Sequence, residues 1–206
     1  MGKLLVACEE SQVVCKAFRA LGVEAYSCDI LDCSGGHPEW HIKGCAEKEA
    51  HSGKYQMMIA HPPCTYLSKA GARWMHPRAG EVCQVRLGKA MQAFDFFHSL
   101  LGAPIPHIAV ENPTPLKVVG LPKYSQVIQP YEYGHPYSKR TLLWLRGLPP
   151  LRSTKVLTEW VPFLPSNTGG PGKSSPGVVS GGKDASVTFS GIAAAMAAQW
   201  SKFLKE

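Results

Sequence analysis

Short apolar runs alternate with segments of helical periodicity near the start of the chain, and this alternation limits the fold more than any other feature. Residues 4–8 form an apolar run typical of a buried parallel strand. Helical spacing follows, with Ser11 as the candidate N-cap and Gly22 as the candidate end, and residues 23–28 form a second candidate strand. The pattern predicts an α/β fold, namely a Rossmann-like domain of the class I methyltransferase type with a mostly parallel sheet and helices on both faces.

The same alternation continues along the chain. Residues 28–54 show no clear period and are expected to be loop-rich, whereas 79–101 has the apolar spacing of a helix. Further strands are expected at 57–60, 107–110, 125–129 and 141–145. The Gly/Ser/Pro-rich segment 166–184 predicts a flexible loop, and the alanine-rich segment 191–204 predicts a closing helix. The length of 206 residues favours a single domain over 1–206.

Residues that can carry chemistry follow the expected strands. They are Glu9 and Glu10, Asp29, Cys64, and the pair Glu111 and Asn112. In open α/β sheets, ligands bind at the carboxyl ends of the strands. We therefore expect the functional site at this edge of the sheet.

The thiol of Cys64 is the candidate nucleophile. Two stiff prolines precede it directly after a strand, which indicates a positioned thiol, and a nucleophilic thiol is expected to have a lowered pKa. The alternative is a small buried side chain that only packs. Glu111 follows another strand, and a carboxyl group with a raised pKa could donate a proton to a pyrimidine ring under attack by a thiolate.

The motifs HPPCTYLS, VENP and YGHPYSKRTLLWL stand in the order found in the cytosine carbon-5 DNA methyltransferases, and the chain resembles that family. It is more closely similar to small methyltransferase-like proteins of phages and prophages that lack a target recognition domain. That closer likeness rests on the segments ACEESQVV, HPPCTYLS, AVENP and GIAAAMAAQW.

The resemblance implies a role for each matching residue. Cys64 would attack carbon 6 of cytosine, Glu111 would stabilise the protonated ring, Asn112 would shape the pocket, and Arg140 would contact the base or its phosphate. S-adenosylmethionine would be the cofactor, held by Cys8, Glu9, Glu10, Ser11, Gln12, Asp29 and Pro62. DNA or a nucleotide would be the substrate, contacted by Pro63, Tyr66, Ser68, Arg73 and Lys139.

Two departures from the family keep other functions open. Residues 8–12 contain no glycine where the larger enzymes have a glycine-rich turn, and only 146–188 stand where those enzymes have a recognition domain. The leading hypothesis is methylation of cytosine in DNA. The alternatives are modification of pyrimidines in free nucleotides or single strands, and a non-catalytic protein that binds nucleic acid or a partner, for example in phage counter-defence.

The charge distribution favours a partner that carries phosphate. The formal net charge is +7, with −3 over residues 1–50 and +10 over the rest. Two clusters carry much of the excess: Lys69, Arg73, Arg78, Arg86 and Lys89, and Lys139, Arg140, Arg146, Arg152 and Lys155. Such asymmetry suits a nucleic acid or nucleotide on one side of the molecule, although a merely solvated basic surface is the plainer explanation.

The cysteines and the apolar runs bear on the location of the protein. Seven cysteines without an export signal indicate reduced thiols, and no apolar run is long enough to cross a membrane. We therefore expect a cytoplasmic protein without a membrane partner. The residues Cys28, Cys33, His37, His41 and Cys45 could gather around zinc, but their spacing is looser than a paired zinc motif, and no metal is expected.

Overall fold

The computed structural model describes residues 2–164, 179–180 and 187–205. In chain order the strands are β1 (Leu4–Ala7), β2 (Ala25–Asp29), β3 (His41–Lys43), β4 (Met57–Ala60), β5 (His107–Pro113), β6 (Gln126–Ile128), β7 (Tyr137–Ser138), β8 (Thr141–Arg146), β9 (Val161–Leu164) and β10 (Val179–Ser180). The α-helices are α1 (Val13–Arg19), α2 (Ala46–Ala50), α3 (Ala72–Met75), α4 (Gln84–Leu101) and α5 (Ser190–Trp200).

Seven of these strands form one twisted sheet in the order β3-β2-β1-β4-β5-β8-β6. The five strands from β3 to β5 are parallel, whereas β8 runs antiparallel to both β5 and β6. The carboxyl ends of β1, β2, β4 and β5 therefore meet at one edge, and the start of β8 reaches the same edge. A small second sheet has the order β10-β9-β7.

Helices cover both faces of the large sheet, as expected from the sequence. On one face, α1 and α5 bury Phe18 and Trp200 against the sheet. On the other, α2 and α4 bury Ala50 and Phe97. Burial of apolar surface on both faces explains why the central strands are almost wholly apolar. The expected α/β architecture with a mostly parallel sheet is confirmed.

Several expected boundaries were wrong for local reasons. The 28–54 segment contains β3 and α2, which are too short to show a period. Helix α4 begins at Gln84 rather than at residue 79, because Gly80 has a φ of +79° that a helix cannot contain. Gln12, not Ser11, is the N-cap of α1. The helical spacing of apolar residues in the sequence runs over Val14, Ala17, Phe18 and Leu21. Leu21, however, lies beyond α1 and is 46% exposed.

The remaining expected elements are present with small shifts. β4 spans the expected residues, and β5 extends through Glu111 and Asn112 because they pair with β8. The closing helix continues as a 3-10 turn over Ser201–Leu204. The expected 166–184 loop lies outside the described residues, except for Val179–Ser180 in β10. Within the described part of the chain, no helix is both long and apolar enough to cross a bilayer.

Candidate active site

The Cys64 loop leaves the sheet directly after β4. The N–H of His61 donates to the carbonyl of Ala7 at 2.9 Å, which fixes the end of the strand beside β1. The two prolines that follow have no N–H to extend the ladder. The carbonyl of Cys64 accepts the N–H groups of Leu67 (3.1 Å) and Ser68 (2.9 Å), so the chain turns back sharply after the thiol.

Asn112 ties this loop to β5. Its side chain is 1% exposed, and Nδ2 donates to the carbonyl of Pro62 at 2.9 Å. The carbonyl of Pro62 is thus satisfied by a side chain of the neighbouring strand. The asparagine therefore holds the proline pair from the neighbouring strand, which positions Cys64 relative to Glu111.

The loops after β4 and β5 enclose a cavity of about 320 Å³. The sequence-derived site residues that line it are Pro62, Pro63, Cys64, Ser68, Glu111, Asn112, Lys139 and Arg140. All four residues proposed as catalytic are thus brought to one cavity, from three different strands. The volume lies within the usual range for small-molecule sites, which begins at about 300 Å³.

The charges around Cys64 differ from the sequence expectation. Burial raises the pKa of the Cys64 thiol, the negative charge of Glu111 raises it further, and Lys139 only partly opposes both. The expected lowered pKa was therefore wrong for the protein without a substrate.

The expected raised pKa of Glu111 was wrong as well. Burial acts to raise the pKa of this carboxyl, but a hydrogen bond from His61 and the positive charge of Lys139 outweigh burial and hold it below its usual range. His61 Nδ1 lies 3.3 Å from Glu111 Oε2. Cys64 and Glu111 thus begin as a neutral thiol beside an ionised carboxylate.

A second cavity, of about 290 Å³, lies at the ends of β1 and β2. Asp29 and Cys8 line it together with the apolar side chains of Ile30, Leu31 and Phe96. Ile30 and Leu31 are 74% and 58% exposed, respectively, which is unusual for large apolar side chains. Pro63 lines both this cavity and the Cys64 cavity, so the two cavities adjoin at this residue.

The lining of the second cavity fits an adenosine group. Apolar walls suit a planar base, and a carboxylate at the end of the second strand suits ribose hydroxyls. Asp29 Oδ1 accepts the N–H of Leu31 at 2.9 Å, which orients the carboxylate and turns the chain after β2.

Two other proposed cofactor ligands are used inside the protein instead. The carboxylate of Glu9 is 4% exposed and accepts the N–H groups of Val14 (2.7 Å) and Cys15 (3.2 Å) at the start of α1. Gln12 is fully buried, and its amide bonds to His37 in both directions. Glu10 and Ser11 do not line either cavity.

The turn after β1 is made without glycine. Cys8 and Gln12 take φ values of 59° and 58°, in the left-handed region that glycine normally occupies. Residues 8–12 thus contain no glycine, yet two of them adopt the conformation that glycine normally takes. The hydrogen bonds of the Gln12 side chain help to hold this strained turn.

Tyr66 and Arg73 lie outside both cavities, on the segment between Cys64 and α4. Arg86 stacks over Tyr66 (4.9 Å) and Trp74 (5.5 Å), and its guanidinium donates to the carbonyl of Thr65 at 2.7 Å. Arg73 stacks on Trp74 at 3.9 Å. Of these two proposed substrate contacts, Tyr66 is partly buried in this segment, whereas Arg73 is exposed on it.

The comparisons with known proteins find similarity to solved structures at low sequence identity. No family model matches the sequence, and no curated protein matches it. Among solved structures, it is similar to the S. pombe Dnmt2 methyltransferase, with 16% identity over 73% of this chain and 52% of that one and a TM-score of 0.44. It is also similar to the Entamoeba histolytica methyltransferase EhMeth, with 13% identity over 76% and 58% and a TM-score of 0.45.

A mutant of Spodoptera frugiperda DNMT2 is similar as well, with 14% identity, coverage of 83% of this chain and 57% of that one, and a TM-score of 0.41. The chain thus spans about half the length of the solved structures it matches. The function has to be inferred from the geometry of the site.

Six cavity residues were not among the site residues expected from the sequence: His61, Lys69, Ala70, Pro113, Thr114 and Phe163. His61 was within reach, because a histidine directly before the Pro-Pro-Cys run follows a strand. Phe163 was not, because β9 is four residues long and returns to the cavity from a distant part of the chain. Within the described residues, no group of three or more His, Cys, Asp or Glu side chains is arranged to hold a metal ion.

Proposed function

We propose that this protein is an S-adenosylmethionine-dependent methyltransferase that acts on carbon 5 of cytosine in DNA. The observation that carries the proposal is the meeting of Cys64 and Glu111 in one cavity whose wall, Pro63, is shared with the Asp29 cavity. A thiol and a carboxyl group on neighbouring strand ends are the two groups that addition to a pyrimidine ring requires.

The cofactor would occupy the second cavity, with Asp29 on the ribose and Ile30, Leu31 and Phe96 around the base. When bound, S-adenosylmethionine supplies the electrophilic methyl group. Pro63 borders both cavities, so the two ligands would adjoin beside this residue, as direct transfer of the methyl group to carbon 5 requires.

The charges of the protein suggest how the proton moves during addition. The Cys64 thiol must lose a proton as its sulfur bonds carbon 6, and nitrogen 3 of the ring must gain one. Glu111 starts ionised because of His61 and Lys139, so it can accept the thiol proton and deliver it to nitrogen 3. The step then needs no proton from solvent and leaves the total charge of the site unchanged.

Addition at carbon 6 places electron density on carbon 5, which then takes the methyl group. A base such as a water molecule takes the carbon-5 proton, the electron pair of that bond forms the double bond between carbons 5 and 6, and the bond from carbon 6 to sulfur breaks. The proton on nitrogen 3 returns through Glu111 to the departing thiolate, which restores the Cys64 thiol and the ionised carboxylate. Lys139 and Arg140, which precede β8 and line the same cavity, would contact the base or its phosphate.

The experiment is a covalent trap. An oligonucleotide containing 5-fluorocytosine is incubated with the protein and S-adenosylmethionine, and a complex that survives denaturation is detected on a gel. Fluorine cannot leave as a proton, so the bond from carbon 6 to sulfur persists. Cys64→Ser should abolish the complex, and Cys83→Ser, which removes another half-buried thiol, should not. An adduct formed equally well by Cys64→Ser would refute the assignment of the nucleophile.

A free nucleotide or a single strand is the second candidate substrate, because three cationic residues, Lys69, Lys139 and Arg140, line the cavity and could hold one phosphate. The same trap separates these substrates when it is run with duplex DNA, single-stranded DNA and 5-fluoro-deoxycytidine monophosphate. Adduct formation only with the nucleotide would replace DNA as the proposed substrate.

Cofactor binding is tested separately by calorimetric titration of S-adenosylmethionine into the protein and into Asp29→Ala. We expect binding that is weakened in the variant, because Asp29 lines the second cavity. If the wild-type protein does not bind at millimolar cofactor, the enzymatic proposal fails. A non-catalytic binding protein, consistent with the use of Glu9 at the start of α1, would then be favoured.

A further inference from the structure

His61 stands between two carboxylates, buried Glu9 and half-buried Glu111, at the ends of three adjacent strands. The sheet order places β4 between β1 and β5, so the residue after β4 lies between Glu9, which follows β1, and Glu111 on β5. The His61 side chain is only 9% exposed, and Nδ1 lies 3.3 Å from Glu111 Oε2. Glu9 is held on its other side by two backbone N–H groups of α1.

The hydrogen-bonding of the imidazole is one-sided. An ionised carboxylate only accepts hydrogen bonds, so Nδ1 carries the proton in its contact with Glu111. The other ring nitrogen, Nε2, is buried and has no hydrogen-bond partner in the described part of the chain. An unpaired buried polar atom costs on the order of 1–3 kcal/mol, so packing alone does not favour an imidazole at this position.

We propose that His61 is the positioning residue of Glu111: its Nδ1–H holds the carboxylate in the orientation that receives the Cys64 proton and faces the base. This inference rests on the proposed function for its effect on catalysis. Its structural content, a fixed and ionised Glu111, is independent of that function.

The backbone makes this placement rigid. The His61 N–H is fixed to Ala7, and the next residue, Pro62, is held by Asn112 from β5. The backbone at His61 is therefore fixed and its side chain is only 9% exposed, so the imidazole has little freedom to move and the 3.3 Å contact favours one position of the carboxylate. Lys139 and Cys64 also face Glu111, but Lys139 approaches from the start of β8 and Cys64 from the turn after the prolines.

The test compares His61→Leu with His61→Asn. Leucine removes the hydrogen bond, whereas the amide nitrogen of asparagine stands close to the position of Nδ1 and can donate in its place. If His61 positions Glu111, His61→Leu should lower kcat on the order of 10- to 100-fold with KM changed less than about twofold, and His61→Asn should stay within about threefold of wild type.

A second readout needs no substrate. The titration of the Glu111 carboxyl is followed by NMR in protein labelled with ¹³C at the glutamate carboxyl, with Glu111→Gln identifying its signal. Because the His61 hydrogen bond acts to lower the pKa of Glu111, the midpoint should move to higher pH in His61→Leu and stay near wild type in His61→Asn. Thermal unfolding of both variants checks that each is folded.

The outcomes separate the two proposals. A shifted Glu111 midpoint in a protein that methylates no substrate would support the role of His61 and count against the enzymatic function. An unchanged midpoint in folded His61→Leu would overturn the role of His61, whatever the activity. Equal losses of kcat in both variants would overturn it too, because the retained donor would then have no effect.

Discussion

Replacing Asn112 with alanine should weaken the fold and loosen Cys64 together. The variant leaves the buried Pro62 carbonyl without its donor, which costs about 1–3 kcal/mol. Part of this is offset, because Asn112 Oδ1 is buried without a hydrogen-bond partner among the described residues and is removed as well. We expect a loss of about 2 kcal/mol in the free energy of unfolding, or roughly 4–8 °C in Tm for a chain of this length.

The assay pairs thermal unfolding with the rate at which iodoacetamide alkylates Cys64, followed by mass spectrometry. Gln126→Ala is the matched control, because Gln126 also bonds a loop backbone, at Leu151 (2.7 Å in both directions), but on the far strand of the sheet. Both variants should lose stability, and only Asn112→Ala should change the alkylation rate. An Asn112→Ala protein with unchanged Tm and unchanged alkylation would refute the idea that this side chain holds the proline pair.

Two further predictions concern charge and backbone space. Glu111→Gln removes the negative charge that helps to raise the pKa of the Cys64 thiol. More thiolate is then present at pH 8, so iodoacetamide should alkylate Cys64 faster. A slower or equal rate would mean that Glu111 does not act on Cys64. Gly191→Ala should cost about 3 kcal/mol in thermal or urea unfolding, because a Cβ there would collide with the carbonyl oxygen of Tyr133. Gly88→Ala, in α4 with nothing within 4 Å, should instead stabilise by about 0.5–1 kcal/mol, and similar effects at the two glycines would contradict this contrast.

The sequence was sufficient for the elements whose side-chain pattern is long or strongly apolar. β4 is recognisable because all four of its residues are buried and apolar, and α5 because its alanine-rich sequence has a buried face and an exposed one. β3 and β9 are not, because three or four residues of mixed polarity carry no period and their pairing is decided by distant strands. The start of α4 depends on Gly80, whose left-handed φ belongs to the turn rather than to the helical pattern.

The site could be predicted as a set of residues but not as an electrostatic arrangement. Cys64, Glu111 and Asn112 can be recognised because each comes directly after a short apolar run, although Glu111 and Asn112 prove to continue β5. The pKa directions of Cys64 and Glu111 depend on contacts between strands. His61 reaches Glu111 from the end of β4, Lys139 acts on both groups from the start of β8, and no local sequence pattern predicts these contacts. Glu9 shows the same limit, since its partners lie at the start of the next helix and not in a ligand cavity.

The reversed direction of β8 has a consequence for engineering this protein. The segment between β6 and β8 lies at the edge of the sheet where Cys64 stands. The segment directly after β8 emerges at the opposite edge, where the carbonyl of Gly147 contacts the His107 ring. A peptide inserted before Lys139 would thus lie next to the Cys64 cavity and could alter which substrates enter it. A reporter peptide that must not disturb the chemistry belongs beyond Arg146, a full strand length away.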